Sequence, residues 1–212
     1  MAILGGGIAG LLRRFLKRGF AEVKRTLDII GASMLLLVVG PFMLFFAGLV
    51  KLTSRGPAFY TQVRVGRNGT VFKVIKLRTM HVNAENNTGP VWAKKDDPRV
   101  TFLGRFLRKT HIDETPQLLN VFWGDMSLIG PRPERPHFVN QFRRSIPHYE
   151  DRLTVRPGIT GLAQVKHKYD ETIDDVRTKL SYDLVYVQSM SWRTDIMIAL
   201  WTFRTITGKN VR

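Results

Sequence analysis

The sequence predicts an α+β fold: a small helix-rich domain with one β-hairpin, anchored by a re-entrant membrane helix-break-helix and by interfacial amphipathic helices. Three observations carry this prediction. Ile29–Val50 holds no charged residue. Asn68-Gly69 separates two β-branched, partly alternating runs, a strong hairpin signal. The rest of the chain reads as helical-period segments cut by Pro and Gly.

The apolar run, IIGASMLLLVVGPFMLFFAGLV, is long enough to cross a hydrocarbon core, which takes roughly 20 residues of helix. Basic residues flank it on both sides, with Arg13, Arg14, Lys17, Arg18, Lys24 and Arg25 upstream. Lys51, Arg55, Arg64 and Arg67 follow it. Basic flanks belong on the cytoplasmic side, so a straight span would strand one cluster outside. Pro41, just past the middle, removes a helical hydrogen bond and favours a bend. The expected anchor is therefore a hairpin that dips into one leaflet and returns. Residues 1–51 then form a basic amphipathic helix plus this hairpin, and residues 52–212 the soluble domain. Asp28 is expected at headgroup level or beside a basic partner. Between Ile8 and Val23, apolar positions oppose basic ones, the pattern of a helix lying on anionic lipid.

In the soluble part, AFYTQVRVG and TVFKVIKLRTM form the hairpin around Arg67-Asn68-Gly69, and 81–95 reads as a polar loop. Helices are expected over VTFLGRFLRKT and DETPQLLNVFWGD, then an extended SLIGPRPERP forced by its prolines. A further helix is expected at His137–Tyr149, and a short strand at the end of VRPGITGLAQV. Two helices, Asp174–Met190 and Trp192–Ile206, close the chain. In the last, Trp192, Ile196, Ala199, Leu200 and Phe203 recur at helical spacing, which fits a core-facing helix and an interfacial one equally.

Lys and Arg number 33 against 17 Asp and Glu, a formal charge of +16. Partners are thus anionic: nucleic acid, an acidic membrane surface or phosphorylated substrates. Cysteine is absent, which excludes disulfides, thiolate metal sites and a Cys nucleophile.

The chemistry concentrates in RKTHIDETPQLLNVFWGDMSLIGPRPERP, from Arg108 to Pro136. Asp113 and Glu114 fall where a helix is expected to begin, with Thr110 ahead and Pro116 in its first turn. Acidic residues there cap free N–H groups and complement the helix dipole. The same end can hold phosphate and keep a carboxylate ionised for attack on phosphorus. On the pair alone, capping is the better account. The surroundings favour phosphate chemistry: Arg105, Arg108 and Lys109 precede the pair and Asp125 follows it. Pro131 and Pro133 hold Arg132 in an extended frame from which a guanidinium can clamp a diphosphate. Lys76 and Arg78 end the second hairpin strand, and alternation puts them on one face.

HIDETPQLLNVFWGDMSLIGPRPE and VRPGITGLAQV resemble the hallmark segments of the bacterial sugar transferases, the monotopic polyprenol-phosphate phosphoglycosyl transferases. KLRTM at 76–80 and YDLVYVQSMSWRTDI at 182–196 fall in the same order and spacing, so the resemblance runs from about Lys24 to Ile206. It implies a transferase at the cytoplasmic face of the bacterial inner membrane that starts surface-glycan assembly, such as exopolysaccharide or O-antigen. A UDP-sugar donates a sugar-1-phosphate to polyprenyl (undecaprenyl) phosphate, UMP leaves, and Mg²⁺ is the cofactor. Carried over by position, Asp113 is the nucleophile and the carboxylate beside the metal, and Glu114 is its base or orienting partner. Arg108 and Arg132, with Lys76 and Arg78, are the phosphate or nucleotide contacts. Asp125 is structural or metal-supporting, and Pro131, Pro133 and Pro41 are structural. One departure is Gly40 before Pro41, where some members carry Ser.

Two rival classes compete with this one. A non-enzymatic, basic membrane-anchored protein binding anionic lipid or nucleic acid explains the charge but not three acidic residues standing among cations. A membrane phosphatase working through aspartyl-phosphate would be expected to carry a D-x-D pair, which is absent around Asp113. Nucleic acid is accordingly not an expected partner. His81, His111, His137, His148 and His167 lack a metal-ligand spacing and are assigned no role. The loop 81–95 and segment 166–175 are the expected places for sugar selection. The sequence names neither the sugar nor the assembly state, a homodimer included.

Overall fold

A computed structural model describes residues 5–84, 97–167 and 172–206, with the side chains of 5–18 and 206 left aside. Much of loop 81–95, and residues 168–171 of the second candidate selection segment, lie outside the described residues.

Helix α1 runs from Gly5 to Thr53 without interruption through Pro41. Two helices parted by a break were expected, and one is observed. A proline deletes one hydrogen bond but leaves its neighbours free to keep helical dihedrals, so the helix continues across it. Within it, Gly19–Thr53 is long and apolar enough to cross a membrane, its most apolar 18 residues reaching a mean hydropathy of 2.4. Leu37 and Phe42 are 80% and 63% exposed, an outward apolar surface that a water-facing helix would not carry.

Both ends of this segment nevertheless pack on the same domain. Towards its start, Ala32 and Leu36 join Val74, Leu118, Val121 and Met126 in one apolar cluster. Arg25 donates to the carbonyls of Val121 and Phe122, at 2.6 and 3.0 Å. Asp28 accepts from the Leu128 amide at 3.1 Å and lies 3.9 Å from Lys24, the basic partner its position called for. Towards its end, Ala47 and Val50 pack against Leu77 and Leu107.

The hairpin is as expected: β1 (Phe59–Val65) pairs antiparallel with β2 (Val71–Leu77), from Phe59 opposite Leu77 to Val65 opposite Val71. Asn68 and Gly69 take the positive φ that the turn requires, at 55° and 79°. Helix α2 covers Phe102–Lys109, capped by the Thr101 side chain on the Gly104 amide. Helix α3 covers only Gln117–Trp123. β3 (Ser127–Ile129) is extended as expected and pairs in parallel with β4 (Gly158–Thr160).

Two regions differ from expectation. Helix α4 (Pro136–Ser145) stops short of Tyr149, because Ile146 precedes Pro147 and is driven to extended φ/ψ. The strand expected at the end of VRPGITGLAQV lies in its middle, and its end is helix α5 (Leu162–Lys166). Helix α6 (Ile173–Ser189) opens on a capping box of Thr172 and Asp175, and α7 (Trp192–Ile206) closes the described chain. On α7 the stripe Trp192, Ile196, Ala199, Leu200 and Phe203 points outward, while Asp195 and Ile198 face the core.

The β3–β4 contact depends on glycine. A Cβ on Gly158 would lie 2.1 Å from the Gly130 nitrogen, and one on Gly130 2.5 Å from the Arg156 carbonyl. Gly158→Ala should therefore part the strands and displace Pro131-Arg132. We expect a loss of roughly 2–4 kcal/mol in denaturant unfolding. An unchanged unfolding midpoint would show that the strands accommodate a methyl group.

Candidate active site

Asp113 does not sit at the N-terminus of α3. It lies in a 3₁₀ turn, Ile112–Glu114, entered through His111 in the left-handed conformation (φ 58°). Thr115 and Pro116 separate this turn from the helix. The turn is closed by the amides of Glu114 on His111 and Thr115 on Ile112. It packs against the end of β2, which brings the two carboxylates to Lys76. α3 is held in place by Asn120, whose amide accepts from the Ile75 N–H and donates to the Lys73 carbonyl.

The two carboxylates have opposite environments. Glu114 is bound by Lys76 at 2.6 Å and by both terminal nitrogens of Arg132, at 2.5 and 3.2 Å. Burial pushes its pKa up, but the charges and hydrogen bonds of Arg132 and Lys76 outweigh that and hold it well below the ordinary glutamate range. Asp113 is 7% exposed, and no described residue donates a hydrogen bond to it. Burial, and then the Glu114 charge, raise its pKa above the ordinary aspartate value, against Lys76 and Arg108. This corrects the expectation of a carboxylate kept ionised by a helix dipole: it is desolvation that dominates at Asp113.

The arrangement is thus one free carboxylate beside one fully engaged carboxylate, ringed by cations. Lys76 loses basicity through burial, opposed by Glu114. Arg108 donates Nε to Thr79 Oγ1 at 2.9 Å and acts electrostatically on Asp113. Lys76, Arg108, Asp113, Glu114 and Arg132 are therefore brought together in one place.

Arg78 and Asp125 go elsewhere. Arg78 donates to the carbonyl and hydroxyl of Ser54 at the end of α1, at 2.9 and 2.7 Å, although alternation had placed it beside Lys76. β2 ends at Leu77, so the strand period no longer governs Arg78. Asp125 accepts from Asn120 at 3.3 Å and so braces the residue that joins α3 to β2. Pro131 and Pro133 flank Arg132 in an irregular segment whose consecutive carbonyls are all bound. Arg64 and Arg152, which do this for Pro133 and Arg132, were not read from the sequence. Both sit in ordinary strand or helix-like text, where no motif marks them.

A magnesium site here would rest on Asp113 alone, because Glu114 is engaged by Lys76 and Arg132. Among the described residues no group of three or more His, Asp or Glu could hold a metal. Mg²⁺ commonly uses one or two carboxylates together with substrate phosphates and water, and Asp113 is a carboxylate with its lone pairs uncommitted.

A buried carboxylate without a hydrogen-bond donor, set among cations on a domain that carries a long apolar helix, is an arrangement suited to phosphoryl transfer. The bacterial sugar transferase family matches residues 20–209, and the chain belongs to that family. A UDP-N-acetylgalactosamine-undecaprenyl-phosphate N-acetylgalactosaminephosphotransferase of Aeromonas hydrophila is 46% identical over 194 residues, covering 91% of this chain and 46% of that protein. UDP-glucose:undecaprenyl-phosphate glucose-1-phosphate transferases of Caulobacter vibrioides and Klebsiella pneumoniae are 43% and 42% identical, each over 84% of this chain. The chain spans 67% and 39% of those two proteins.

Proposed function

We propose that the protein transfers a sugar-1-phosphate from a UDP-sugar to undecaprenyl phosphate, with release of UMP. The observation that carries this reading is the contrast between the uncommitted Asp113 and the fully paired Glu114. An Asp113 oxygen attacks the β-phosphorus, the bond from that phosphorus to the bridging oxygen breaks, and UMP departs with the oxygen. This leaves an aspartyl-phosphosugar, which a phosphate oxygen of undecaprenyl phosphate attacks, returning the free carboxylate. A carboxylate with a raised pKa is the more basic, and hence the stronger, nucleophile once ionised. Glu114 holds Lys76 and Arg132 in position, and Arg108 stands by to meet phosphate charge. Asp113 is also the residue to hold Mg²⁺, which when bound would neutralise diphosphate charge.

The relatives' names differ in the sugar, so the donor is to be found by assay. UMP release from a panel of UDP-sugars, with Mg²⁺ and undecaprenyl phosphate, tests the reading. Release of UDP instead would overturn it.

For the anchor we infer that α1 is seated from the cytoplasmic face without crossing the bilayer. In support, Lys24–Leu36 and Phe46–Val50 both pack on one domain, whereas a straight span would carry its far end across the bilayer. The outward α7 stripe, with Phe102, Phe106 and Trp123, adds apolar surface for the headgroup boundary. Because the chain lacks cysteine, single Gly19→Cys and Arg55→Cys variants report topology directly. Both should be labelled by an impermeant maleimide only from the cytoplasmic side; labelling from opposite sides would refute this one-sided seating.

A further inference from the structure

Four consecutive carbonyls of the segment carrying Arg132 are bound. Pro131 accepts from the Gly158 amide and Glu134 from the Val65 amide, both at 2.9 Å. Pro133 accepts from Arg64 Nη1 at 3.0 Å, and Arg132 itself from Arg152 Nη2 at 2.7 Å. The two prolines have no N–H to donate, so this segment is held through its acceptors. The donor at Arg132 is the most deeply buried of these side chains. Arg152 is 4% exposed, donates Nη1 to the Tyr149 hydroxyl at 2.8 Å, and lies 2.8 Å from the Asp183 carboxylate on α6.

Burying such a pair contributes little net stability, since desolvation offsets the attraction. Its consequence here is geometric. The guanidinium that fixes the Arg132 backbone is itself fixed on two sides, and Arg132 then reaches Glu114 with both terminal nitrogens. We propose that Arg152 and Asp183 are a positioning pair for the Arg132–Glu114 contact, so that the inner face of α6 sets the phosphate-binding geometry from outside the site. This rests on the sugar-phosphate transfer reading for its kinetic consequence, but not for its structural one.

A double-mutant cycle in the full chain distinguishes positioning from general support. Asp183→Asn should lower kcat/KM for UMP release about tenfold in the wild-type background, with the loss in kcat rather than KM, and less than about twofold in an Arg132→Ala background. An equal factor in both backgrounds would mean that the pair acts independently of Arg132, and would overturn the proposal. If Asp183→Asn does not fold, Tyr149→Phe removes one bond to Arg152 at constant shape and enters the same cycle. If the wild type releases no UMP from any UDP-sugar, the transfer reading fails and the positioning is judged by hydrogen exchange. In Asp183→Asn, faster exchange of the Val65 and Gly158 amides, which donate to Glu134 and Pro131, out of proportion to the rest of the hairpin supports it; exchange raised no more there than elsewhere refutes it.

Discussion

Asp113→Asn abolishes UMP release, by about 10³-fold or more, and prevents any phosphosugar from remaining on the protein after incubation with donor alone. The amide keeps the shape of the side chain but is not a nucleophile. The loss should come without unfolding. A carboxylate whose pKa is higher in the folded than in the unfolded protein binds its proton more tightly when folded. Its favourable contribution is therefore complete at low pH and disappears as pH rises through the folded value. At neutral pH the ionised Asp113 is a net cost to folding, borne chiefly by burial and by the neighbouring Glu114. Asp113→Asn should consequently melt at the same temperature as the wild type or a few degrees higher. The acid limb of the wild-type rate profile should lie above the ordinary aspartate range for the same reason. A variant that retains turnover would remove Asp113 as nucleophile, and one that is inactive but unfolded would leave the loss without chemical meaning.

Arg132→Ala carries the next largest effect, and in the opposite direction for stability. Glu114 would keep Lys76 but lose both bonds to the guanidinium. The pair is partly exposed on the Arg132 side, so the cost should be about 1–3 kcal/mol rather than that of a fully buried ion pair. Glu114 has a depressed pKa in the folded protein, so its stabilisation is present above the unfolded value and is lost as pH falls through the folded one. Without Arg132 that loss begins at higher pH, and the midpoint of acid unfolding moves up. Activity should fall roughly 10²–10³-fold, as when an oriented charge stabiliser is removed. Arg132→Lys should recover stability more fully than rate, because an ammonium replaces the charge but not the two-pronged geometry. Equal recovery of both would indicate that Arg132 is a simple counter-ion.

The Arg108–Pro136 text marked the candidate site, because its residue types are those that phosphate chemistry needs and they stand close in sequence. The same text misplaced the geometry. Asp113 was legible as a helix-start acid, yet Pro116 and the left-handed His111 set it in a 3₁₀ turn ahead of a helix of only seven residues. Burial, and then the Glu114 charge, raise its pKa instead of lowering it. Arg78 shows the converse, since strand alternation predicts its face only while the strand lasts.

By itself the sequence determined the long apolar helix, the hairpin at Asn68-Gly69 and the placing of the Asp113-Glu114 pair among cations, since each depends on residues close along the chain. Only the tertiary structure decided which carboxylate is engaged and which is free. That difference arises from Lys76 and Arg132, which lie 38 and 18 residues from Glu114. It likewise decided that both ends of the membrane helix return to one domain, and that Arg152, held by Asp183, fixes Arg132. Burial and long-range pairing are properties of the folded packing, and local pattern does not encode them.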